Sequence, residues 1–469
     1  MRLSMKRIVP LLLFVFFLAT ACNDSGEFSR ATLSRLQKEK LPAFTPPEVE
    51  EVTLENGIHL FLMEDHTLPV VNMQVILRAG SIYEPAALPG LSDVTAQLMR
   101  DGGTLAKSPG EIDALVDDTA VRISFDSDRE MLKASMESLS SEMPTTLPLL
   151  IDLIVRPRFD AARRELVRLK FIEQIKRNED DPEFVAARDF QKLIYGDASP
   201  WAAYPTVASI QQITPEDIAR FWAAFVRPNN MLIAAAGDFQ ADALVREIEK
   251  LTASIPNDPV TFPAVPEVPY EFKEASRYVA REVNQAYIYM GHLGIKRHNP
   301  DKCALQIMNA VLGGGGFKSR LMEDIRSNKG MAYSVWSNFG WATDYGVFSV
   351  YAATKAKNQI EVVDLIRAQV GAMATTGKVT RKELSFAKDS VLNRLIFEFD
   401  EPFKIVLSQA QYYFYGYPKN YWEIYRDSVK AVDRGDVKRV AKQYLHPDGL
   451  KTLIVGPAKS PAAKSTTAH

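Results

Sequence analysis

The chain has 469 residues, which at about 150 residues per domain predicts two large domains or three smaller ones. Lys and Arg number 56 against 58 Asp and Glu, the net charge is -2, and 46% of the residues are hydrophobic. These values exclude a disordered chain and a multi-span membrane protein, leave no basic face for nucleic acid, and with only two cysteines, Cys22 and Cys303, exclude a disulfide framework.

At the start of the chain Arg2, Lys6 and Arg7 precede the apolar run from Ile8 to Ala19, the charge and length pattern of an export signal. The small residues Ala19-Thr20-Ala21 then end in Cys22, which resembles the lipobox of bacterial lipoproteins. There the cysteine becomes the lipidated first residue. Residues 1–21 are read as a lipoprotein signal peptide, with an ordinary secretory signal as the other reading; both predict an exported protein. A lipidated Cys22 implies a membrane association through the anchor only, on the periplasmic face, and Asn23 after it favours the outer membrane. Residues 22–47, polar and ending in Pro46-Pro47, read as a tether.

The body begins near residue 48. Strands are expected at 50–64 and 71–79, the second alternating as Val71, Met73, Val75 and Leu77. Helical periods follow at 90–100, 109–117, 139–154 and 159–177, with a hairpin of 121–127 and 131–136 between the second and third. Helices at 183–194 and 215–226 and a strand at 231–236 complete a first domain, 48–251. Pro256, Pro259, Pro263, Pro266 and Pro269 then mark a linker, 252–273, because proline fixes φ and removes ladder donors. In the second domain, 274–457, strands are expected around 277–292, 331–339, 345–353 and 450–455, and helices at 299–312, 358–375, 380–398 and 433–445. Residues 458–469 read as a disordered tail. Shifted by 219 positions, Asp217, Arg220, Pro228 and Gly237 fall on Asp436, Arg439, Pro447 and Gly456, so the same helix, proline stop and strand recur. Two related α+β domains in tandem are therefore expected.

Searches for chemistry mostly return absences. No G-x-S-x-G elbow occurs, and none of the six histidines lies four residues from another, so H-E-x-x-H and H-x-x-E-H are both missing. Gly313 to Gly316 invites a phosphate-loop reading, but Phe317 stands where a glycine must precede Lys318, and the run follows a helix rather than a strand. It reads instead as a permissive turn that lets backbones approach closely.

The residues after that run carry a family resemblance. L-G-G-G-G-F-K-S-R-L, E-D-I-R and K-G-M-A-Y-S-V, within Asn284 to Val335, resemble the C-terminal half of the insulinase-type zinc peptidases, family M16, and are M16B-like. Asn56-Gly57, Gly90-Leu91, Gly103-Thr104, Glu179-Asp180-Asp181-Pro182 and Tyr195-Gly196 follow the same family's order. The resemblance covers essentially the whole body. It implies two related domains like those of the insulinases and mitochondrial processing peptidases, each a mainly antiparallel sheet packed with helices.

Active members resemble G-L-x-H-x-x-E-H, with two zinc-binding histidines and a general-base glutamate on one helix. Aligned on Gly90-Leu91, this chain has Asp93 and Gln97 at the histidine positions and Ala96 at the glutamate. The third ligand position falls on Gln174, with Glu173 beside it. An amide is a poor zinc ligand and alanine has no carboxylate to take a proton from water, so the resemblance implies no complete catalytic site and no metal in this chain. Asp93 reads as a solvated residue favoured by the helix dipole. Arg326 and Tyr333, seven apart, match the pair that in the family assists substrate binding and the oxyanion. Each also has a plain reading, as a charge in a helix's last turn and as a strand residue on the core.

A chain that keeps this pair without the zinc residues looks like the non-catalytic subunit of the family's two-subunit members. The implied function is substrate binding within a heteromeric zinc metallopeptidase that acts on peptides or unfolded proteins in the bacterial envelope, the zinc lying in a partner with intact H-x-x-E-H. Substrate would add as a strand to a sheet edge of the partner. Two alternatives are an envelope chaperone or scaffold that only binds extended peptides, and a stand-alone peptidase joining Asp93 to a distant histidine such as His66.

Overall fold

The computed structural model describes residues 47–458. The readings of residues 1–21 as a signal peptide, of Cys22 as a lipidation site, of the tether up to Pro46 and of the tail from residue 459 lie outside the described residues.

The first half forms β1 (Glu50–Thr53), β2 (His59–Glu64), β3 (Val70–Leu77), α1 (Leu91–Asp101), α2 (Pro109–Thr119), β4 (Arg122–Ser127), β5 (Leu132–Leu139), α3 (Met143–Val155), α4 (Ala161–Asp180), α5 (Pro182–Tyr195), α6 (Val207–Gln212), α7 (Pro215–Phe225), β6 (Met231–Gly237) and α8 (Ala241–Thr252). Its sheet has the order β1-β2-β6-β3-β5-β4, antiparallel except for the β2–β6 pair. The second half forms β7 (Ala275–Arg281), β8 (Gln285–Leu293), β9 (Ile295–Lys296), α9 (Lys302–Asn309), β10 (Ala332–Phe339), β11 (Trp341–Ala342), β12 (Val347–Lys355), α10 (Gln359–Thr376), α11 (Arg381–Ile396), α12 (Pro402–Phe414), α13 (Tyr421–Ala431), α14 (Arg434–Tyr444) and β13 (Lys451–Pro457). Its main sheet runs β10-β12-β8-β13-β7, with β13–β7 parallel and the rest antiparallel.

The two sheets share one topology. Strands β2-β6-β3-β5-β4 correspond in order and direction to β7-β13-β8-β12-β10. The shifted repeat explains the centre of each: α7 is opened by a Thr214/Asp217 capping box and α14 by Asp433/Asp436, each satisfying two orphan amide donors. A proline turn follows at Pro228 or Pro447, and the next strand enters the middle of the sheet. Two related α+β folds with antiparallel-rich sheets are what the sequence predicted.

Period-two patterning divides each sheet into two apolar faces. Val71, Met73, Val75 and Leu77 of β3 join Leu98 and Met99 of α1 in the first half's core, while Ile76, Phe61, Leu232 and Ala234 point the other way. That second face is covered by Ile405, Val406, Ala410 and Phe414 of α12, a helix from the other half. Reciprocally, Val185, Ala186, Phe190 and Ile194 of α5 cover Leu453 and Val455 of the second half's sheet. Glu179-Asp180-Asp181-Pro182 makes this crossing possible: Asp181 accepts from the Glu183 amide at 2.9 Å, and Pro182 opens α5 after α4 stops.

Candidate functional site

The helix that the family resemblance assigns to metal binding is built from its N-terminus. Gly90 has φ of 98°, and a Cβ there would meet Ile210 Cδ1 at 2.8 Å, so glycine is required where the chain turns into α1. No side chain at the usual capping position serves this helix. Glu84 does so instead, accepting from the Gly90 amide at 3.0 Å, the Ser92 amide at 2.7 Å and the Ser92 hydroxyl at 2.6 Å. Burial pushes its carboxyl up to about 7 against these three bonds. Glu84 was not singled out in the sequence; the only signal is a carboxylate six residues before the Gly-Leu start.

Asp93 lies one turn into α1 and is half-buried, which corrects its reading as a solvated residue. It lines a cleft of about 340 Å3 with Glu84, Ser127, Asp128, Arg129 and Tyr204. Burial, followed by the nearby Asp126 and Asp128 charges, pushes its carboxyl up to about 6, while the Ser127 hydroxyl opposes the shift. Ala96 is 1% exposed and belongs to the apolar core. Gln97 is engaged within its own helix, its Nε2 donating to Asp101 Oδ2 at 2.7 Å.

Helix α4 packs against α1, as a third-ligand helix must, yet Gln174 is exposed. Its Nε2 donates to Asn178 Oδ1 at 2.7 Å and its Oε1 accepts from Arg177 at 2.9 Å, while Glu173 is 3.7 Å from the same arginine. This donor set does not fit a catalytic zinc: one carboxylate and two amides tied to neighbours on their own helices replace the ligands, and the base position is a methyl group. Among the described residues no three His, Cys, Asp or Glu side chains form a group able to hold a metal ion.

His66 offers Asp93 no help. Its Nδ1 lies 2.7 Å from Asp238 Oδ1 and its Nε2 3.4 Å from Glu64, in the turn before β3. Asp93 shares its cleft with Ser127 and Asp128, beside the other end of that strand, where Leu77 pairs with Leu132 and Leu132 in turn with Ser127. Eight residues of strand at about 3.4 Å each separate the two ends, far beyond a shared metal.

In the second half, a π-helical turn, Ala310–Gly314, continues α9 into the glycine run, and a second π-helical segment, Met322–Asn328, carries Arg326 in its last turn. A Cβ on Gly313 would lie 2.6 Å from the Ser337 amide, so the run presses directly on β10. Arg326 is half-buried, with its guanidinium 5.3 Å from the Phe317 ring centre and Nη1 3.7 Å from Met322 Sδ; no carboxylate pairs with it among the described residues. Tyr333 falls in the register shift between Ala332 and Ser334, where β10 is bulged against β12. The bulge aims its ring outward: Tyr333 is 50% exposed, has no hydrogen-bond partner among the described residues, and does not pack on the core. Strand β10 is also an edge strand. Beside it opens a cleft of about 600 Å3 lined by Gly313, Gly314, Met322, Trp336 and, from α5, Gln191. This cleft shares no lining residue with the one at Asp93, and neither Arg326 nor Tyr333 lines either cleft.

Cys303 packs half-buried against the second core, and burial pushes its thiol up to about 11.

Comparison with known proteins places this geometry. The model for the insulinase family of peptidases, M16, matches residues 60–197, and that for the M16 inactive domain matches residues 212–391. The non-peptidase homolog YmxG of Helicobacter pylori is 26% identical over 406 residues, 84% of this chain and 91% of that protein. An uncharacterized zinc protease, YmxG of Bacillus subtilis, is 24% identical over 411 residues, 87% of this chain and 98% of that one. Among solved structures, a peptidase M16 inactive domain from Pseudomonas fluorescens aligns with a TM-score of 0.80 at 23% identity, covering 88% of this chain and 99% of its own. The periplasmic protease PqqL from Escherichia coli aligns with a TM-score of 0.73 at 17% identity, covering 94% of this chain and 51% of its own.

Proposed function

The chain belongs to the insulinase family of peptidases, M16, and from that membership we propose that it is the non-catalytic, substrate-binding subunit of a heteromeric M16-type zinc metallopeptidase in the cell envelope. Its substrates are peptides or unfolded proteins. A partner chain with intact H-x-x-E-H supplies the zinc and the general base, and this chain is not active alone.

One observation carries the reading. The zinc-motif positions Asp93, Ala96, Gln97 and Gln174 are substituted, while Tyr333 stands exposed and Arg326 half-buried, neither with an ion pair nor with an oxygen or nitrogen partner for its side chain among the described residues, on and beside an edge strand. A guanidinium without an ion pair and an outward phenol add little to this chain's stability, so their worth lies in what docks against them. Arg326 offers a cationic fork to a peptide carboxylate or carbonyl, and the Tyr333 hydroxyl donates to the carbonyl oxygen as negative charge develops there. The name of the Helicobacter relative, a non-peptidase homolog, supports an inactive chain, and the periplasmic PqqL neighbour supports an envelope setting. In the assembled complex, Arg326→Ala and Tyr333→Phe are each expected to lower peptidase activity by about 100- to 1000-fold, the range for losing one positioned donor, without dissociating the subunits. Unchanged activity removes the roles assigned to these two residues.

A further inference from the structure

A third cleft, far simpler in composition, opens on the flank of α1 formed by α4, α6 and α7. It measures about 220 Å3 and is lined by Val94, Ile210, Ile213 and Ile218 together with Arg164, Glu165 and Arg168. Four branched aliphatic side chains make its apolar wall. Two guanidiniums, one helical turn apart on α4, make its polar rim.

The charge at that rim is unbalanced. Arg168 donates to Glu165 at 2.7 Å, which accounts for one cation and one anion. Arg164 has no ion pair and no side-chain hydrogen bond among the described residues, and the Nε of Arg168 is buried without a partner. The rim therefore carries one net positive charge, which a singly charged anion would neutralise. The same anion would give the Arg168 guanidinium an additional acceptor, where an unmet buried N–H is costly.

We propose that this cleft binds a small branched aliphatic carboxylate, the carboxylate on Arg164 and Arg168 and the hydrocarbon against Val94 and the three isoleucines. At about 30 Å3 per water-sized group, the volume holds roughly seven non-hydrogen atoms, the size of a leucine-like side chain carrying one carboxylate. Two sources share that chemistry: the C-terminus of a peptide ending in an aliphatic residue, and a free short-chain acid. The site is independent of the peptidase reading, because it lies on the aliphatic side of α1 and uses none of Asp93, Arg326 or Tyr333.

Titration calorimetry of the full chain with N-acetyl-L-leucine and with 4-methylpentanoate tests it. Saturable binding of either acid is expected, with the neutral amide of the same skeleton failing to bind. Arg164→Gln weakens binding roughly tenfold or more, as loss of a charge-assisted contact requires, while Arg164→Lys keeps part of it. Arg164 makes no ion pair or side-chain hydrogen bond among the described residues that its loss would break, and an unchanged melting temperature confirms that the variant is folded. Tighter binding of the acetylated amino acid identifies a peptide C-terminus, and tighter binding of 4-methylpentanoate a free acid. Equal binding of acid and amide, no saturable binding of either acid, or an unchanged affinity in Arg164→Gln overturns the proposal.

Discussion

Arg297 of the second half donates to Glu130 of the first half at 2.9 Å, and both side chains are nearly buried. Glu130 is 7% exposed and also accepts from the Thr343 hydroxyl and from Tyr415 at 3.3 Å, while the Arg297 guanidinium lies 3.5 Å from the Tyr415 ring centre. The β4–β5 turn is thereby fastened to the other half. Removing one member leaves a buried charge uncompensated, so Glu130→Ala or Arg297→Ala is expected to cost about 3 kcal/mol or more. The Glu130→Ala/Arg297→Ala double variant loses less than the two single losses combined. Chemical denaturation of the four proteins measures this coupling.

The exchange of α5 and α12 makes the halves mutually dependent. Residues 48–251 produced alone expose Phe61, Ile76, Leu232 and Ala234, which α12 otherwise covers. This fragment is expected to aggregate, and co-production of residues 274–457 to recover it in soluble form. Within the intact chain, Phe414→Ala is expected to cost about 3–5 kcal/mol, since Arg78 also stacks on that ring at 4.1 Å. Thermal unfolding checks the second expectation, and sedimentation of the separate and combined halves the first.

The raised Asp93 carboxyl gives a pH dependence whose sign is fixed. In the unfolded chain it titrates near its ordinary value of about 3.9, and in the fold at about 6, so between these the folded state binds the extra proton. Its contribution to stability therefore falls as pH rises through that window and is least favourable above it. Asp93→Asn is expected to stabilise the protein by about 1–2 kcal/mol at pH 7.5, after allowance for solvent screening, and by little at pH 3.5. Melting temperatures of the two proteins across pH 3.5–8, a range chosen to bracket about 3.9 and 6, provide the check.

Restoring the family residues probes the alignment itself. Asp93→His, Ala96→Glu, Gln97→His and Gln174→Glu together are expected to bind one zinc per chain, and chelator then lowers the melting temperature of that variant but not of the parent. The same variant without Gln174→Glu is expected to bind zinc at least about tenfold more weakly. Equal affinity would move the third-ligand position to Glu173.

Much of this architecture was legible in the sequence because it depends on periodicity and punctuation. The alternation of Val71 to Leu77 specified β3, and the shifted proline and glycine positions anticipated that β6 and β13 would occupy equivalent places. Helices α12 and α13 were not anticipated. In α12, Phe403, Ile405, Val406, Leu407, Ala410 and the aromatics to Phe414 are apolar over most of the circumference, because the helix is covered by the other half's sheet as well as by its own neighbours. Amphipathic α8 was missed despite regular spacing of Leu244 and Ile248. At the site, substitution of the metal residues was visible from sequence, but the burial of Asp93 and the cap from Glu84 required the fold. The bulge at Tyr333 likewise depends on strand register, which no local pattern encodes.

The central claim, that this chain completes a partner's active site, is tested most directly by affinity purification of the natively expressed full chain from detergent-solubilised envelopes, with mass spectrometry of stoichiometric companions. The account predicts a companion of similar size that carries H-x-x-E-H and zinc, and peptidase activity in the complex that neither chain shows alone. Recovery of this chain by itself, under conditions that keep other envelope complexes intact, would contradict it and leave a peptide-binding scaffold as the reading.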